Sequence, residues 1–158
     1  MFIAKFIRSW VVFVVDMLAG SVFLLAGSSK PARTFSFVKS HRNLTEVLMD
    51  HRLASLGDSY INLAYSLALS NRTGKPSGAK VKGRALAEAL RKAELREYLP
   101  SRMTRHMLAD AAEALIVYAW LNKYITLEES VAILEKVENP VEGLNNLLVT
   151  LRNRITFP

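Results

Sequence analysis

Residues 52–70 of the chain read RLASLGDSYINLAYSLALS, and this stretch decides the fold. Its apolar residues recur at intervals of three and four positions, which is the spacing of one face of an α-helix. A second apolar stripe runs beside the first, so we expect a helix that is buried on nearly all sides. The first stripe comprises Leu53, Leu56, Tyr60, Leu63, Ala64 and Leu67, and the second comprises Ile61, Ala64, Tyr65 and Ala68.

Gly57 and Asp58 interrupt this apolar pattern. A glycine inside a helix costs about 1 kcal/mol relative to alanine, so Gly57 indicates a close approach of another element. A buried aspartate is costly unless it is hydrogen-bonded, ion-paired or bound to a cation. Asp58 is therefore either a structural carboxylate with satisfied hydrogen bonds or one half of a functional site that needs a partner.

Asp110 and Glu113 repeat the anomaly in a second apolar stretch, HMLADAAEALIVYAWL at residues 106–121. A separation of three residues puts both carboxylates on one face of a helix, about one turn apart. Two apolar helices that each carry acids suggest one shared site. Three carboxylates without any thiolate suit a hard cation such as Mg²⁺ or Mn²⁺, which activates water and stabilises charge on a phosphate.

Composition limits the class of protein. The chain has 158 residues, of which 51% are hydrophobic, so we expect one domain with a sizeable core rather than a disordered chain. It has no cysteine, which excludes disulfides, thiolate metal sites and cysteine nucleophiles. The absence of cysteine is compatible with a cytoplasmic location, which we expect.

Positive charge is concentrated in residues 71–105. This window holds ten Lys or Arg and three Glu, and it accounts for the whole formal net charge of +7. It opens with a basic loop, NRTGKPSGAKVKG. Such a concentration favours a polyanionic partner such as nucleic acid. The alternative is a solvated helix face, because Arg84, Glu88 and Lys92 are spaced for pairing along a helix.

The N-terminal segment, residues 1–27, is strongly apolar. Its run at residues 10–27 is 18 residues long and is broken by Asp16 and Ser21. A membrane span would be at the short end of the range with a charge near its middle, and the same aspartate disfavours a signal peptide. We therefore expect an apolar helix, kinked near Gly20, that packs in the core or against a second subunit. A membrane-bound helical protein is kept as an alternative.

Capping patterns and periodicity predict the remaining helices. Only residues 34–38 alternate in the manner of a strand. We expect an all-α domain over residues 1–158 with about six or seven helices. In it, residues 1–27 form the apolar N-terminal helix, residues 43–121 the core and residues 126–158 the C-terminal helices. The predicted features are an N-cap at Asn43 with Glu46, a basic helix at 84–95, a helix to Leu121 capped by Ser101 or Thr104, a capping box at Thr126 and Glu129, and a last helix at 141–155.

Two of these stretches resemble the ribonuclease III family. LASLGDSY at residues 53–60 is similar to the family signature ERLEFLGDAVL, and LADAAEALIVYAWL at residues 108–121 is similar to the family's ADALEALIGAIYLD. Between them, GRALAEALRKAELREYL at residues 83–99 falls where the family has VNNETLARIARELGLGDYL. The order and approximate spacing agree over residues 43–121, roughly half of the chain.

The resemblance implies an all-helical endonuclease that dimerises and cuts double-stranded RNA with a divalent metal, Mg²⁺ or Mn²⁺. It makes Glu113 a direct metal ligand, with Asp58 beside it and Asp110 supporting the site, so these are the expected catalytic and metal-binding residues. A symmetric dimer would place two sites across the minor groove and would read the shape of the RNA rather than its sequence. The basic residues expected to contact the RNA are Lys75, Lys80, Lys82, Arg84 and Arg105.

The sequence departs from the family pattern in the signature. His51 and Ala54 stand where the family has glutamates, the second normally a metal ligand, and Ser55 replaces the aromatic residue of the family's dimer interface. Fewer than 40 residues follow Leu121, so we expect a catalytic domain without the usual double-stranded RNA-binding domain. In this the chain is similar to mini ribonuclease III, which also has alanine in its LAYIGD motif. We expect residues 1–27 to take over the dimer interface.

Two functions fit the resemblance. The first is a metal-dependent endoribonuclease, and the second is a catalytically inactive member of the fold that binds RNA or scaffolds a ribonucleoprotein particle. Three acids on apolar helices favour the enzyme, because buried carboxylates without a metal would cost about a few kcal/mol. Ala54 in place of a glutamate favours the inactive protein.

Overall fold

Six α-helices and one 3₁₀ turn make up residues 35–157, the part of the chain that the computed structural model describes. This part contains no β-strand, and no helix in it combines the length and apolar character needed to span a bilayer. The predicted all-α fold is therefore confirmed. The predictions for residues 1–27 lie outside the described residues. The helices are α1 (Leu44–Leu48), α2 (His51–Thr73), α3 (Gly83–Lys92), the 3₁₀ turn (Leu95–Tyr98), α4 (Arg105–Leu121), α5 (Leu127–Glu135) and α6 (Pro140–Arg154).

Asp50 sets the start of α2. Its Oδ1 accepts hydrogen bonds from the backbone N–H groups of Arg52 and Leu53, at 3.0 and 3.3 Å. Its Oδ2 lies 3.1 Å from Nε2 of His41, a buried imidazole whose Nδ1 lies 3.1 Å from the carbonyl oxygen of Lys39. This cap separates α2 from α1 and ties the preceding segment to the first turn of α2.

The helix that is buried on nearly all sides is α4, not α2. Residues 111–119 of α4 are all buried, and α2 and α4 pack more extensively against each other than any other pair of helices described. The prediction of an almost fully buried α2 is wrong, because one of its sides faces outward. Leu56, Leu63 and Leu67 are 38%, 51% and 38% exposed.

Small residues allow α2 to approach α4. A Cβ atom added at Gly57 would lie 2.2 Å from the carbonyl oxygen of Glu113 and 2.9 Å from its Cβ, so the crossing accommodates only glycine. Ala64 and Ala68 continue the same buried side of α2. The exposed leucines at positions 56, 63 and 67 lie on the other side of α2.

Most helix boundaries follow the predicted caps. The basic helix is shorter than predicted, since α3 ends at Lys92 and Glu94 adopts a left-handed φ of 59°. The alternation noted at residues 34–38 forms no strand within residues 35–38, where a turn is closed by the Val38 N–H and the Phe35 carbonyl oxygen (3.3 Å). The confirmed caps are Asn43 accepting from the Glu46 N–H, Thr104 accepting from the Met107 N–H, and the reciprocal capping box of Thr126 and Glu129.

Candidate active site

A cleft of about 420 Å³ lies where α2 crosses α4, and three carboxylates line it. Asp58 reaches it from α2, one residue after the glycine contact, and Asp110 and Glu113 reach it from successive turns of α4. The structure therefore brings together all three acids that the sequence singles out. The other lining residues are His51, Ala54, Ser55, Lys80, Val81, Gly83, His106 and Ala109.

Glu113 is the most buried of the three acids, with 9% of its surface exposed. Burial raises its pKa to about 7, and the negative charges of Asp58 and Asp110 act in the same direction, while the Lys80 ammonium opposes them. Burial and like charge both disfavour the ionised form of a carboxyl group. A cation placed among the three acids would relieve this repulsion.

Asp58 and Asp110 are more accessible. The Asp58 side chain is 42% exposed, its Oδ1 accepts a hydrogen bond from Nδ2 of Asn62 at 3.0 Å, and its Oδ2 lies 3.8 Å from Nζ of Lys80. The Asp110 side chain is 24% exposed, and its Oδ1 lies 3.7 Å from Nδ1 of His106 one turn earlier. Both carboxylates thus have a basic neighbour on the open side of the cleft.

The donor set suits a hard divalent cation, although the side chains are not drawn together as ligands. Within residues 35–157, no three His, Cys, Asp or Glu side chains are grouped closely enough to hold a metal ion in their present rotamers. Carboxylate oxygens are the ligands that Mg²⁺ and Mn²⁺ prefer. Asp58, Asp110 and Glu113 are the residues that would hold such an ion after side-chain rotation.

The positions that depart from the family signature also line this cleft. Ala54 is buried, so a methyl group occupies the place where the family has a carboxylate. His51 and Ser55 are exposed at the edge of the cleft. The cleft therefore lacks both glutamates of the family pattern, and the one that Ala54 replaces is normally a metal ligand.

The basic window contributes both to the fold and to the surface. Arg72 donates hydrogen bonds to the carbonyl oxygens of Leu134 and Val137, Lys92 pairs with Glu142, and Arg96 donates to the carbonyl oxygens of Leu99 and Ser101. These three cations hold elements of the fold together. The other seven are exposed, and they are Lys75, Lys80, Lys82, Arg84, Arg91, Arg102 and Arg105.

All five basic residues predicted to contact RNA belong to this exposed group. Lys80 lines the cleft itself. Lys82 and Arg84 flank Gly83, and Arg105 precedes His106, and both Gly83 and His106 line the cleft. The structure thus places four of the five beside the carboxylates or next in sequence to a lining residue. Lys75 lies in the loop after α2.

Sequence reasoning missed Asn62 and the pairing of Lys80 with Asp58. Asn62 lies one helical turn after Asp58, so helical spacing in the sequence is enough to identify it as a neighbour of Asp58. The approach of Lys80 depends on the path of residues 74–82, a segment without helix or strand. No periodic pattern in the sequence predicts that path.

Comparison with known proteins agrees with the motifs and the fold. A sequence model of the family described as Ribonuclease III matches residues 51–147, which is more than half of the chain and reaches into α6. No match to a curated protein was found. The match begins at the first residue of α2 and includes both acid-bearing helices, and so the chain belongs to the ribonuclease III family.

Proposed function

We propose that this protein is a divalent-metal-dependent endoribonuclease that cleaves double-stranded or structured RNA as a homodimer. The observation that carries the proposal is the convergence of Asp58, Asp110 and Glu113 in one cleft, where burial and, to a lesser extent, the charges of the two aspartates raise the pKa of Glu113 to about 7. Perturbed carboxyl groups in a cleft are typical of functional sites. Membership of the ribonuclease III family supports an RNA-processing nuclease.

The three carboxylates would hold Mg²⁺ or Mn²⁺, which supplies water activation and charge stabilisation at the phosphate. Glu113 is fixed by its burial between α2 and α4, so it would be the least mobile of the three ligands. Asp58 is oriented by the amide of Asn62. Asp110 lies one turn before Glu113 and would complete the same side of the site.

The exposed cations supply the contacts for the RNA backbone. Lys82, Arg84 and Arg105 carry positive charge next to residues that line the cleft, Lys75 carries it on the loop after α2, and all four would bind phosphate groups. Phosphate contacts carry no sequence information by themselves. We therefore propose recognition of the shape of an RNA duplex rather than of particular bases.

The described residues add a second candidate for the dimer interface, the outward side of α2, to the predicted contribution of residues 1–27. Leu56, Leu63 and Leu67 lie on this helix at intervals of seven and four residues, which places them in one stripe. Exposed apolar stripes of this kind are typical of interaction surfaces. In a two-fold dimer the same stripe from each subunit would cover the other, and the two clefts would be held at a fixed separation.

One observation favours a second function, a catalytically inactive RNA-binding or ribonucleoprotein scaffold protein. The buried methyl group of Ala54 removes a carboxylate from the cleft. A site with weaker metal affinity would keep the cationic surface and lose the chemistry.

The experiment that separates the two functions uses an end-labelled RNA duplex and its single strand, incubated with Mg²⁺, with Mn²⁺ or with a chelator. If the protein is a nuclease, we expect cleavage of the duplex only when metal is present, and the RNA incubated with chelator should stay intact. Duplex binding without cleavage in either metal would favour the scaffold function. Cleavage that persists in the chelator would contradict metal dependence.

A further inference from the structure

A ladder of side chains on α2 fixes the path of the extended segment before α3. Every fourth residue of α2 from position 58 to position 70 is polar, and three of these side chains accept hydrogen bonds from alternate backbone N–H groups of residues 77–81. The bonds are Val81 N–H to Asn62 Oδ1 (2.7 Å), Ala79 N–H to Ser66 Oγ (2.9 Å) and Ser77 N–H to Ser70 Oγ (2.9 Å). The shorter contacts of the two hydroxyl donors lie within α2, from Ser66 to the Asn62 carbonyl oxygen and from Ser70 to the Ser66 carbonyl oxygen (both 2.7 Å). The carbonyl oxygens of Ala79 and Ser77 lie 3.1 and 3.3 Å from the same hydroxyl groups.

This ladder places Lys80 at the carboxylates. Residues 77, 79 and 81 face α2, whereas Gly78, Lys80 and Lys82 are exposed on the other side, as the two-residue period of an extended segment requires. Lys80 extends back along the cleft, with its Nζ 3.8 Å from Oδ2 of Asp58. Its placement is therefore set by three backbone attachments rather than by a free loop.

Asn62 links the two halves of this arrangement. Its Nδ2 donates to Oδ1 of Asp58 at 3.0 Å, and its Oδ1 accepts from the N–H of Val81, the residue after Lys80, at 2.7 Å. A single amide group therefore fixes both the Asp58 carboxylate and the chain next to the Lys80 ammonium. One side chain therefore fixes the position of Asp58 relative to Lys80.

The charges in the cleft match this arrangement. Ala54 replaces a glutamate that is normally a metal ligand in the family, which leaves three carboxylates in the cleft, and the Lys80 ammonium adds a positive charge. With all groups ionised, Asp58, Asp110, Glu113 and Lys80 carry a net charge of −2, which one divalent cation neutralises. Lys80 also opposes the rise in the pKa of Glu113, so its charge acts on the most buried acid as well.

We propose that each cleft holds a single divalent ion and that Lys80 is a catalytic residue. The Lys80 ammonium would act as the second cationic group of the site and contact a non-bridging oxygen of the scissile phosphate. Lys80 transfers no proton in this role, and Asn62 is a positioning residue that acts through Asp58 and Val81. This inference rests on the proposed nuclease function, which it makes more specific.

The test combines metal binding with cleavage. Mn²⁺ binding without RNA is measured by titration calorimetry for the wild type, for Lys80→Ala and for Lys136→Ala, a control for the loss of an exposed lysine at the end of α5. We expect one ion per chain in the wild type and an affinity about threefold higher in Lys80→Ala, because a nearby cation no longer repels the metal. Lys136→Ala should bind Mn²⁺ as the wild type does.

Cleavage of duplex RNA at saturating Mn²⁺ gives the second readout. Loss of a group that stabilises charge on the reacting phosphate should slow Lys80→Ala about a hundredfold. Two ions per wild-type chain, unchanged Mn²⁺ affinity in Lys80→Ala or unchanged cleavage by it would each overturn the inference. If the wild type cleaves no RNA, the nuclease function and the catalytic role of Lys80 both fail. The Mn²⁺ titrations then still decide whether Lys80 balances the charge of the cleft.

A double-mutant cycle tests the role of Asn62. If Asn62 acts by positioning Lys80, the effect of Lys80→Ala on the cleavage rate should be much smaller in an Asn62→Ala background than in the wild type. Thermal unfolding of each variant shows whether it is folded. Independent, multiplicative effects of the two substitutions in folded variants would contradict the positioning role.

Discussion

Gly57 and Glu113 are in contact across the crossing of α2 and α4, so closely that a Cβ atom at position 57 would lie 2.2 Å from the Glu113 carbonyl oxygen. The most buried acid of the cleft is therefore held against the residue that precedes Asp58. One glycine fixes the separation of the two helices that carry the three carboxylates.

Replacing Gly57 by alanine should destabilise the protein by about 3 kcal/mol, since the added methyl group forces α2 away from α4 and outweighs the better helix propensity of alanine. Urea unfolding of the variant measures the change. Gly78→Ala is the matched control, because a Cβ at position 78 meets nothing within 4 Å. Equal unfolding midpoints for Gly57→Ala and the wild type would contradict the close crossing.

The raised pKa of Glu113 makes stability depend on pH. The pKa is 4.5 for an ordinary glutamate and about 7 in the fold, so ionisation is disfavoured in the folded state. The contribution of the Glu113 carboxyl group to the stability of the fold is fully present below pH 4.5 and is lost as the pH rises to about 7. Without metal, Glu113→Gln should therefore become more stable than the wild type as the pH rises through this range, with a free energy of unfolding higher by up to about 3 kcal/mol.

Chemical denaturation of both proteins at several pH values tests this expectation. Mg²⁺ should reduce the difference, because a bound cation stabilises the ionised carboxylate. A difference between the two proteins that does not change with pH would show that Glu113 has an ordinary pKa in the fold.

Leu63→Glu should convert the proposed dimer into a monomer, because it places a charge in the centre of the exposed stripe of α2. Leu63 is 51% exposed in the single chain, so the folded subunit should tolerate the change. Analytical ultracentrifugation measures the association state. Tyr98→Glu, at a side chain 39% exposed in the 3₁₀ turn, is the control. A wild-type monomer would contradict the proposed dimer, and an unchanged dimer of Leu63→Glu would place the interface elsewhere.

Lys82→Ala and Arg84→Ala should each weaken RNA binding to a similar extent for all duplex sequences. Each loss of a phosphate contact should reduce the slope of log affinity against log salt by about one. Arg72→Ala provides the contrast, because Arg72 binds carbonyl oxygens at the end of α5 and should affect stability rather than the salt slope. Unchanged slopes for Lys82→Ala and Arg84→Ala would show that these residues do not contact the phosphates of the RNA.

Helical spacing explains why the acids were predictable. Asp110 and Glu113 are three residues apart, and so they share a face of any helix that contains them. The glycine next to Asp58 indicated a close contact, which the structure places at Glu113. Local caps such as Thr126 with Glu129 were predictable for the same reason, because all their atoms lie within one turn.

The features that sequence reasoning missed depend on contacts between distant segments. Periodicity shows that Leu63 and Leu67 share a side of α2, but it does not show which side a neighbouring helix covers. The small residues of α2 at the crossing decided which of its sides packs against α4. Lys80 reaches Asp58 through a segment without helix or strand, whose path is set by hydrogen bonds to Ser66 and Asn62.

The most direct test of the central claim is the metal-dependent cleavage of labelled duplex RNA by wild type and Glu113→Gln, with RNA binding measured in the same samples. Glu138→Gln, which removes the charge of an exposed acid in the loop between α5 and α6, is the control. We expect cleavage by the wild type and Glu138→Gln, and binding without cleavage by Glu113→Gln. Cleavage by Glu113→Gln at the wild-type rate would contradict an active site built on these carboxylates.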